Sequence, residues 1–407
     1  MMNENINLNA LKQGSATLEN SKWKQMIARK KTLYTANTEI RSEFERDYTR
    51  IIYSNAFKRM KHKTQVFFSP TNDHICTRIE HVNYVESISY GLAKALGLNI
   101  ELTKTIAIAH DLGHSPFGHA GEKVLNKILL DETGKTFWHE RNGLNFVDNI
   151  ELLTNVNNEE KNLNLTYAVR DGIISHCGEI DEISLKPRTE FIDLEKDYIK
   201  LNQYSPYTWE GCVVKISDKI SYLGRDIEDA ISMGILDSNL NELYDLLEQP
   251  RSANLNNTNI IGDLIADLCT NSSVDEGLKF SSTTFEKIKR LKQFNYKYIY
   301  RHKCMKPSER YFSLVLNEIF NTLNECYDGI NTLEKLNIER PFYPKVIDTF
   351  IKWISCYWNI ETDRSHLKNK ILYNMNDIKD YQKAIITYIS GMTDSYAIET
   401  YNDIVKY

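Results

Sequence analysis

The stretch HDLGHSPFGHAGE, at residues 110–122, places three histidines, one aspartate and one glutamate between the apolar segments TIAIA and KVLNKILL. Burying a polar group without a partner costs about 1–3 kcal/mol, and burying a bare charge costs far more. A chain that drives so many titratable groups towards its core therefore needs something that offsets this cost. A bound cation is the obvious candidate.

Helical periodicity dominates the rest of the chain. In residues 78–98, RIEHVNYVESISYGLAKALGL, apolar side chains recur every three or four residues, and Gly97 is placed to end the helix. A second helix is predicted over Glu101–His110 and a long one over residues 208–236. No strong strand alternation and no internal repeat is evident. The sequence predicts an all-α fold.

Composition narrows the class of protein. The net charge of −5 argues against a dedicated nucleic-acid binder. Seven scattered cysteines without a CxxC pair favour reduced thiols, and neither an apolar leader nor a membrane span is evident. We therefore expect a soluble, cytoplasmic protein. We interpret residues 1–40 as a polar and basic surface arm, 41–236 as the catalytic core and 237–407 as a C-terminal helical region.

Four side chains on the predicted helices have the character of metal ligands. His81 and His110 lie on separate helices, Asp111 follows His110 directly, and Asp218 lies on the long helix. A lone buried histidine is more often an ordinary core residue, but two imidazoles with two carboxylates make a mixed nitrogen and oxygen set. Such a set suits Mn, Fe, Zn, Ni or Mg and leaves positions for water and substrate.

These four residues resemble the H…HD…D signature of the HD-domain metallohydrolases. Their surroundings, among them RSEFERDYTRIIYSNAFKRMKHKTQVF, AIAHDLGHSPFGHAGEKVLN and VVKISDKISYLGRDIEDAISMGIL, are similar to the dGTPase-like family of deoxynucleoside triphosphate (dNTP) triphosphohydrolases. The resemblance covers roughly residues 41–236. It implies an HD-domain helical core with an additional C-terminal helical region. The signatures of the HD-GYP phosphodiesterases and of the stringent-response hydrolases (HDxxED) are absent.

The resemblance implies a reaction and a set of roles. A dNTP, such as dGTP, would be split into deoxynucleoside and inorganic tripolyphosphate by attack at the α-phosphorus. One divalent metal (Mn, Mg, Zn or Ni) per active site would be bound by His81, His110, Asp111 and Asp218. His119 would act as general acid or base, and Glu122, three residues later on the same helical face, would orient it.

The resemblance also implies substrate-binding residues. Phosphate contacts are expected from an arginine, the first histidine and a lysine, a sugar or base contact from a glutamine, and deoxyribose contacts from a tyrosine and an aspartate. The second histidine is expected to bind the substrate. In chain order these residues are Gln65, Arg78, His114, His139, Lys219, Tyr222 and Asp226.

Two departures from the family pattern bear on specificity. After His139 the sequence reads Glu-Arg-Asn-Gly-Leu-Asn, where the family commonly has a pattern like HNxQxLR, and Arg225 replaces a histidine of the long helix. These changes leave the four ligands intact but put base preference and any regulatory site in doubt.

The sequence leaves several alternatives and partners open. The scaffold could instead cleave nucleoside monophosphates or a signalling nucleotide, or serve as a non-catalytic nucleotide or DNA sensor. Relatives suggest a homo-oligomer, tetramer or hexamer, with a dNTP activator. They also suggest single-stranded DNA as a partner, although no aromatic platform for base stacking is evident among the basic residues between 46 and 63.

Overall fold

The structure is a computed structural model that describes residues 8–33, 38–68, 72, 74–176, 183–253, 255 and 257–406. The predicted all-α class is confirmed, since the regular structure of these residues consists of seventeen α-helices, three 3-10 and two π-helical turns, and four very short strands. The helices, in chain order, are α1 (Trp23–Met26), α2 (Glu43–Tyr53), α3 (Asn55–Arg59), α4 (Arg78–Leu96), α5 (Ile100–Ala109), α6 (Gly118–Thr133), α7 (His139–Asn145), α8 (Tyr167–Ser175), α9 (Trp209–Ser232), α10 (Leu240–Leu247), α11 (Asn257–Asn271), α12 (Ser282–Asn295), α13 (Met305–Asn324), α14 (Thr332–Glu339), α15 (Pro344–Ile354), α16 (Ile378–Ser390) and α17 (Asp394–Val405).

The chain divides into two compact units, each made of three separate segments. The first comprises Met1–Ile51, Ser69–His110 and Asn164–Met305. The second comprises Ile52–Phe68, Asp111–Leu163 and Lys306–Tyr407. The division suggested by the sequence, at residues 40 and 236, stays a prediction, because it describes contiguous segments and not these discontinuous units.

The first unit is built around α4, α5, α8 and α9, which pack against one another. Helix α4 begins with a capping box formed by Thr77 and Glu80, and it ends at Gly97, whose φ of 76° suits the left-handed C-cap. The close approach of α5 and α8 depends on Gly172, since a Cβ there would lie 2.5 Å from a methyl carbon of Ile106. The three helices that the periodicity predicts are thus present, within a few residues of the expected ends.

The N-terminal segment contributes to the core of the first unit. Leu11, Ala16 and Met26 are at most 1% exposed. The backbone N–H of Leu11 donates to the carbonyl oxygen of Leu96, at the end of α4. The interpretation of residues 1–40 as a surface arm did not anticipate this packing.

In the second unit, α15 packs against α14, α16 and α17, and α16 also packs against α6. Short strands occur in both units, and the sequence did not predict them because two or three residues are too few to show alternation. Strand β1 (Leu152–Thr154) pairs antiparallel with β2 (Glu160–Asn162) in the second unit. Strand β3 (Ser184–Leu185) pairs antiparallel with β4 (Leu278–Lys279) in the first.

Within the described part of the chain, none of the helices combines the length and the apolar character needed to cross a membrane.

Candidate active site

Three helices of the first unit bring together two imidazoles and a carboxylate, here called the histidine–aspartate cluster: His81, His110 and Asp218. His81 lies one turn inside α4, His110 follows the last residue of α5, and Asp218 lies on α9. His81 Nε2 lies 3.0 Å from Asp218 Oδ1, and His110 Nε2 lies 3.9 Å from the same oxygen. Both histidines are buried. The three helices therefore bring together three of the four side chains that were predicted from the sequence as metal ligands.

The orientation of His110 suits a metal ligand. Its Nδ1 atom lies 2.6 Å from the carbonyl oxygen of Ala107. A proton on Nδ1 donates to that oxygen, and the lone pair of the imidazole is then on Nε2, the atom nearer Asp218. The buried His176, at the end of α8, is held in the same way by the carbonyl of Ile173, and its ring centroid lies 4.9 Å from that of His110. His176 was not among the residues predicted from the sequence.

The histidine–aspartate cluster fits a divalent ion. Ligands that share one ion lie about 2.0–2.2 Å from it, hence at most about 4.4 Å from one another. The two distances to Asp218 Oδ1, 3.0 and 3.9 Å, meet this requirement. The mixed nitrogen and oxygen donors are those that first-row divalent metals prefer.

Asp111 opens the second unit, directly after His110. Its Oδ1 atom lies 3.2 Å from Nε2 of His114, and both side chains are buried. This pair was not expected, because the sequence assigned Asp111 to the metal and His114 to the phosphates. The role of Asp111 as a ligand stays a prediction.

Four residues of the second unit form the histidine–glutamate cluster: His114, His119, Glu122 and His139. The Glu122 carboxylate lies between two imidazoles, with Oε2 3.1 Å from Nδ1 of His119 and 3.1 Å from Nδ1 of His139. Its Oε1 accepts the backbone N–H of His139 at 3.0 Å. The predicted pairing of His119 with Glu122 is present, whereas the second imidazole partner, seventeen residues further along the chain, was not expected.

The charge state of Glu122 follows from these contacts. Burial opposes ionisation, but the charges and hydrogen bonds of His139 and His119 outweigh it and hold the pKa of Glu122 well below its usual value. Glu122 is therefore a carboxylate at neutral pH. The two imidazoles differ in access, since the side chain of His139 is 5% exposed and that of His119 is 64% exposed. His114 stacks on His139 with ring centroids 3.8 Å apart.

The predicted phosphate-binding arginine is the first residue of α4. Arg78 is only 2% exposed, one turn before His81. The capping box that fixes this helix end, with Glu80 accepting the backbone N–H of Thr77 at 2.8 Å, therefore also fixes the backbone of Arg78. Gln65 is buried in the second unit.

The predicted sugar-binding aspartate has a partner that the sequence analysis missed. The hydroxyl of Tyr300 donates to Asp226 Oδ2 at 2.5 Å. Burial raises the pKa of Asp226 to about 7, against the opposing effect of this hydrogen bond. Tyr300 lies in a short π-helical turn, 74 residues after Asp226, and no spacing signal connects the two. Tyr222 lies one turn before Asp226 on α9.

The remaining predicted contact, Lys219, lines an apolar pocket of the first unit. Helices α9 and α12 and the β3–β4 pair provide the walls of this pocket. Its other lining side chains are Ile183, Leu185, Ile216, Ile220, Leu223, Leu278, Phe280, Phe285 and Ile288. The role of Lys219 at a phosphate stays a prediction.

Arg225, the departure on the long helix, is held by acids of its own helix. Its guanidinium lies 3.0 Å from Glu228 Oε2 and 3.0 Å from Asp229 Oδ1. The other oxygen of Asp229 accepts the backbone N–H of Cys76 at 3.0 Å, just before α4 begins. Burial raises the pKa of Asp229 to about 6. Arg225 and Asp229 thus tie α9 to the chain that leads into α4.

Comparison with known proteins agrees with this geometry. The HD domain model matches residues 78–223, a range that contains His81, His110, Asp111 and Asp218. Three curated relatives share the name deoxyguanosinetriphosphate triphosphohydrolase-like protein. The protein of Caldanaerobacter subterraneus subsp. tengcongensis is 31% identical over 90% of this chain and 86% of its own length. The protein of Pelagibacter ubique is 33% identical over 89% and 93%, and that of Desulfatibacillum aliphaticivorans is 33% identical over 75% and 79%.

The similarity extends over most of each chain and includes both units. HD domains are metal-dependent phosphohydrolases, and the histidine–aspartate cluster contains side chains that could hold a metal ion. The chain therefore belongs to the HD-domain family of deoxyguanosinetriphosphate triphosphohydrolase-like proteins.

Proposed function

We propose that the protein is a metal-dependent dNTP triphosphohydrolase that produces deoxynucleoside and inorganic tripolyphosphate by attack at the α-phosphorus. The convergence of His81, His110 and Asp218 from three helices carries the proposal. The chain that contains them is similar over most of its length to proteins named deoxyguanosinetriphosphate triphosphohydrolase-like. We propose dGTP as a substrate and other dNTPs as further candidates.

In this proposal a divalent ion (Mn, Mg, Zn or Ni) is held by the histidine–aspartate cluster together with Asp111. A bound ion would neutralise charge on the α-phosphate and make a water more acidic. The hydrogen bond from His110 to the carbonyl of Ala107 keeps Nε2 as the donor atom for the ion. Two carboxylates and two imidazoles would leave coordination positions for substrate and water.

The proposed proton transfer uses the histidine–glutamate cluster. When Nδ1 of His119 donates to Glu122, Nε2 is the atom that can exchange a proton at the scissile bond. Glu122 remains ionised, because its two imidazole partners hold its pKa low. Its hydrogen bond with Nδ1 therefore fixes the direction of the His119 ring. The exposure of His119 supports its access to a substrate.

Some of the proposed contacts bind the charged phosphates of the substrate, and others bind its sugar or base. Arg78, His114 and Lys219 would bind phosphate oxygens, and a buried guanidinium such as that of Arg78 suits bidentate binding. His139 would be a further substrate contact. Gln65 and Tyr222 would contact the sugar or base.

Asp226 has one oxygen committed to Tyr300. Its other oxygen, Oδ1, is buried and lacks a hydrogen-bond partner among the described residues. A deoxyribose hydroxyl would provide that partner.

Product analysis tests the proposal. The purified protein is incubated with each dNTP and with GTP, singly and in pairs, with Mn²⁺ or Mg²⁺, and the products are separated by chromatography. Deoxynucleoside with tripolyphosphate is the expected result, and the paired incubations reveal a dNTP activator. Monophosphate with pyrophosphate, or no turnover with metal bound, would contradict the proposal; release of phosphate from a nucleoside monophosphate or a signalling nucleotide would point to another HD-domain reaction.

We further propose a cytoplasmic homo-oligomer, tetramer or hexamer. The six described cysteines are free thiols, which supports a reducing compartment. The oligomer rests on the family resemblance, and its size is measured by light scattering with and without dNTPs.

A further inference from the structure

A carboxylate near the C-terminus contacts the loop between His114 and α6. Asp394, the first residue of α17, is 4% exposed and belongs to the second unit. Its Oδ1 accepts the backbone N–H of Phe117 at 2.8 Å. Its Oδ2 accepts both the backbone N–H and the hydroxyl of Thr64, at 2.8 and 2.5 Å. One buried side chain thus fixes two segments of the unit, one of which leads directly into α6.

The backbone of Phe117 explains why this contact matters. Its φ and ψ are 63° and 23°, a left-handed conformation that bulky residues rarely adopt. Such a conformation persists only where the surrounding structure holds it. The Phe117 ring stacks on Phe312 at 4.2 Å with the planes 4° apart and meets Phe68 edge-on at 5.8 Å. Asp394 therefore holds the backbone of Phe117 while aromatic side chains hold its ring.

Phe117 determines how α6 begins. It is the N-cap of this helix, and the next residue, Gly118, also has a positive φ, of 55°. His119 is the second residue of α6 and Glu122 the fifth, one turn after the left-handed residues that begin the helix. The direction of that turn decides whether the Glu122 carboxylate reaches the backbone N–H and the ring of His139.

Two further contacts restrain the same loop from within the unit. The buried ammonium of Lys63 donates to the carbonyl oxygens of His114 and Ser390. The amide of Asn142 donates to the carbonyl oxygen of Gly113 at 2.8 Å and to the hydroxyl of Ser390 at 3.1 Å. The loop has no room to relax sideways, since a Cβ on Gly113 would lie 2.0 Å from the carbonyl oxygen of His139.

We propose that Asp394 is a positioning residue for the histidine–glutamate cluster. It holds Phe117 in its left-handed conformation and so places His119 and Glu122. It acts through the backbone and does not touch the reacting atoms. Asp394 lies far beyond residue 223, where the HD domain match ends. The role in catalysis rests on the proposed function, whereas the restraint of the loop does not.

The test compares Asp394→Asn with Asp403→Asn, a carboxylate of the same helix that lies at the surface beside Lys345. Asparagine has one acceptor oxygen where aspartate has two, so it can accept either the two donors of Thr64 or the N–H of Phe117 but not both, and the loop loses part of its restraint. We expect kcat to fall about 10-fold or more in Asp394→Asn with KM within about twofold and metal content unchanged. Asp403→Asn should match the wild type.

Hydrogen exchange provides a readout that does not depend on turnover. Peptides covering residues 111–122 should exchange about 10-fold faster in Asp394→Asn than in the wild type, with no change in Asp403→Asn. If Asp394→Asn does not fold, Thr64→Ala removes only the hydroxyl donor, and a smaller change in the same peptides is expected. Unchanged exchange in the folded variants would overturn the inference.

The two proposals fail in different ways. If the wild type hydrolyses dNTPs and Asp394→Asn has the same kcat, the positioning role is wrong and the proposed function stands. If the wild type has no dNTP activity but exchange at 111–122 increases in Asp394→Asn, the restraint is supported and the proposed function fails.

Discussion

The histidine–aspartate cluster of the first unit and the histidine–glutamate cluster of the second are held by different kinds of structure. The first takes its side chains from α4, α9 and the end of α5, helices that pack against one another through apolar faces. The second takes His114 from a loop and His119 and Glu122 from the first five residues of α6. Hydrogen bonds with residues 63, 142 and 394 restrain that loop.

This difference has a consequence for how each cluster can fail. Side chains within packed helices keep their positions as long as the core of the unit is folded. Side chains on a loop depend on a few polar contacts. The loss of one such contact can displace these side chains while the protein stays folded. We therefore expect metal binding and proton transfer to respond to different substitutions.

The largest effect should come from removing a ligand of the histidine–aspartate cluster. His110→Ala should abolish stoichiometric binding of Mn²⁺, measured by elemental analysis after gel filtration, and lower turnover on the order of 10³-fold or more. The exposed His62 offers a matched control, and His62→Ala should keep both properties. Full metal content in His110→Ala would show that the ion is held elsewhere.

The complementary substitution separates the two clusters. Glu122→Gln removes the charge between His119 and His139, and kcat should fall about 10²–10³-fold because the proton donor loses its orientation and electrostatic support. Metal content should equal that of the wild type. Asp131→Asn, an exposed acid on the same helix, is the control. Loss of metal in Glu122→Gln would mean that the clusters are not separable.

A smaller effect concerns the pH dependence of stability in the first unit. The pKa of Asp229 is raised to about 6, so folding favours its protonated form, and the stability that this group contributes is present below about pH 4 and is lost as pH rises through 6. The asparagine of Asp229→Asn does not titrate, so the variant does not lose this stability as the pH rises. Relative to the wild type, its free energy of unfolding should therefore rise by about 2 kcal/mol between pH 4 and pH 7.

Urea denaturation at a series of pH values measures this difference. The comparison uses the change with pH and not the absolute stability, because the amide also alters the contacts with Arg225 and Cys76. A difference between variant and wild type that stays flat from pH 4 to pH 7 would contradict the prediction.

The smallest expected effect is on the free energy of unfolding, and it compares one glycine from each of the helices that carry the two clusters. Gly91, within α4, and Gly134, after α6, both have open space around an added Cβ, but only Gly134 has a positive φ, of 73°. Gly91→Ala should raise the free energy of unfolding by about 0.5–1 kcal/mol, and Gly134→Ala should lower it by about 1 kcal/mol. Thermal denaturation measures both, and equal signs would contradict the conformational argument.

The two clusters also differ in how far the sequence could predict them. The residues His81, His110 and Asp218 could be placed on helices by periodicity, and helices with apolar faces must pack, so their convergence was a reasonable expectation. The pairing of His119 with Glu122 follows from a spacing of three on one helix. These are consequences of local structure.

Contacts between distant segments could not be predicted in this way. Nothing in the spacing connects Glu122 with the backbone of His139, Asp226 with Tyr300, or Phe117 with Asp394. Each pair depends on where a loop or a turn places one residue, and single-sequence patterns carry no information on that placement. The left-handed conformation of Phe117 was likewise unforeseen, since a phenylalanine at such a position runs against its own backbone preference.

The glycines beside the histidine–glutamate cluster limit how this protein can be altered by evolution or in the laboratory. A Cβ on Gly113 would lie 2.0 Å from the carbonyl oxygen of His139, and one on Gly121 would lie 1.9 Å from that of Pro116. Backbone atoms cannot move aside as flexible side chains do, so every other amino acid is excluded at both positions. Random mutagenesis of residues 110–122 should therefore yield folded variants that differ in their polar side chains, but almost no folded variants that differ at these two glycines.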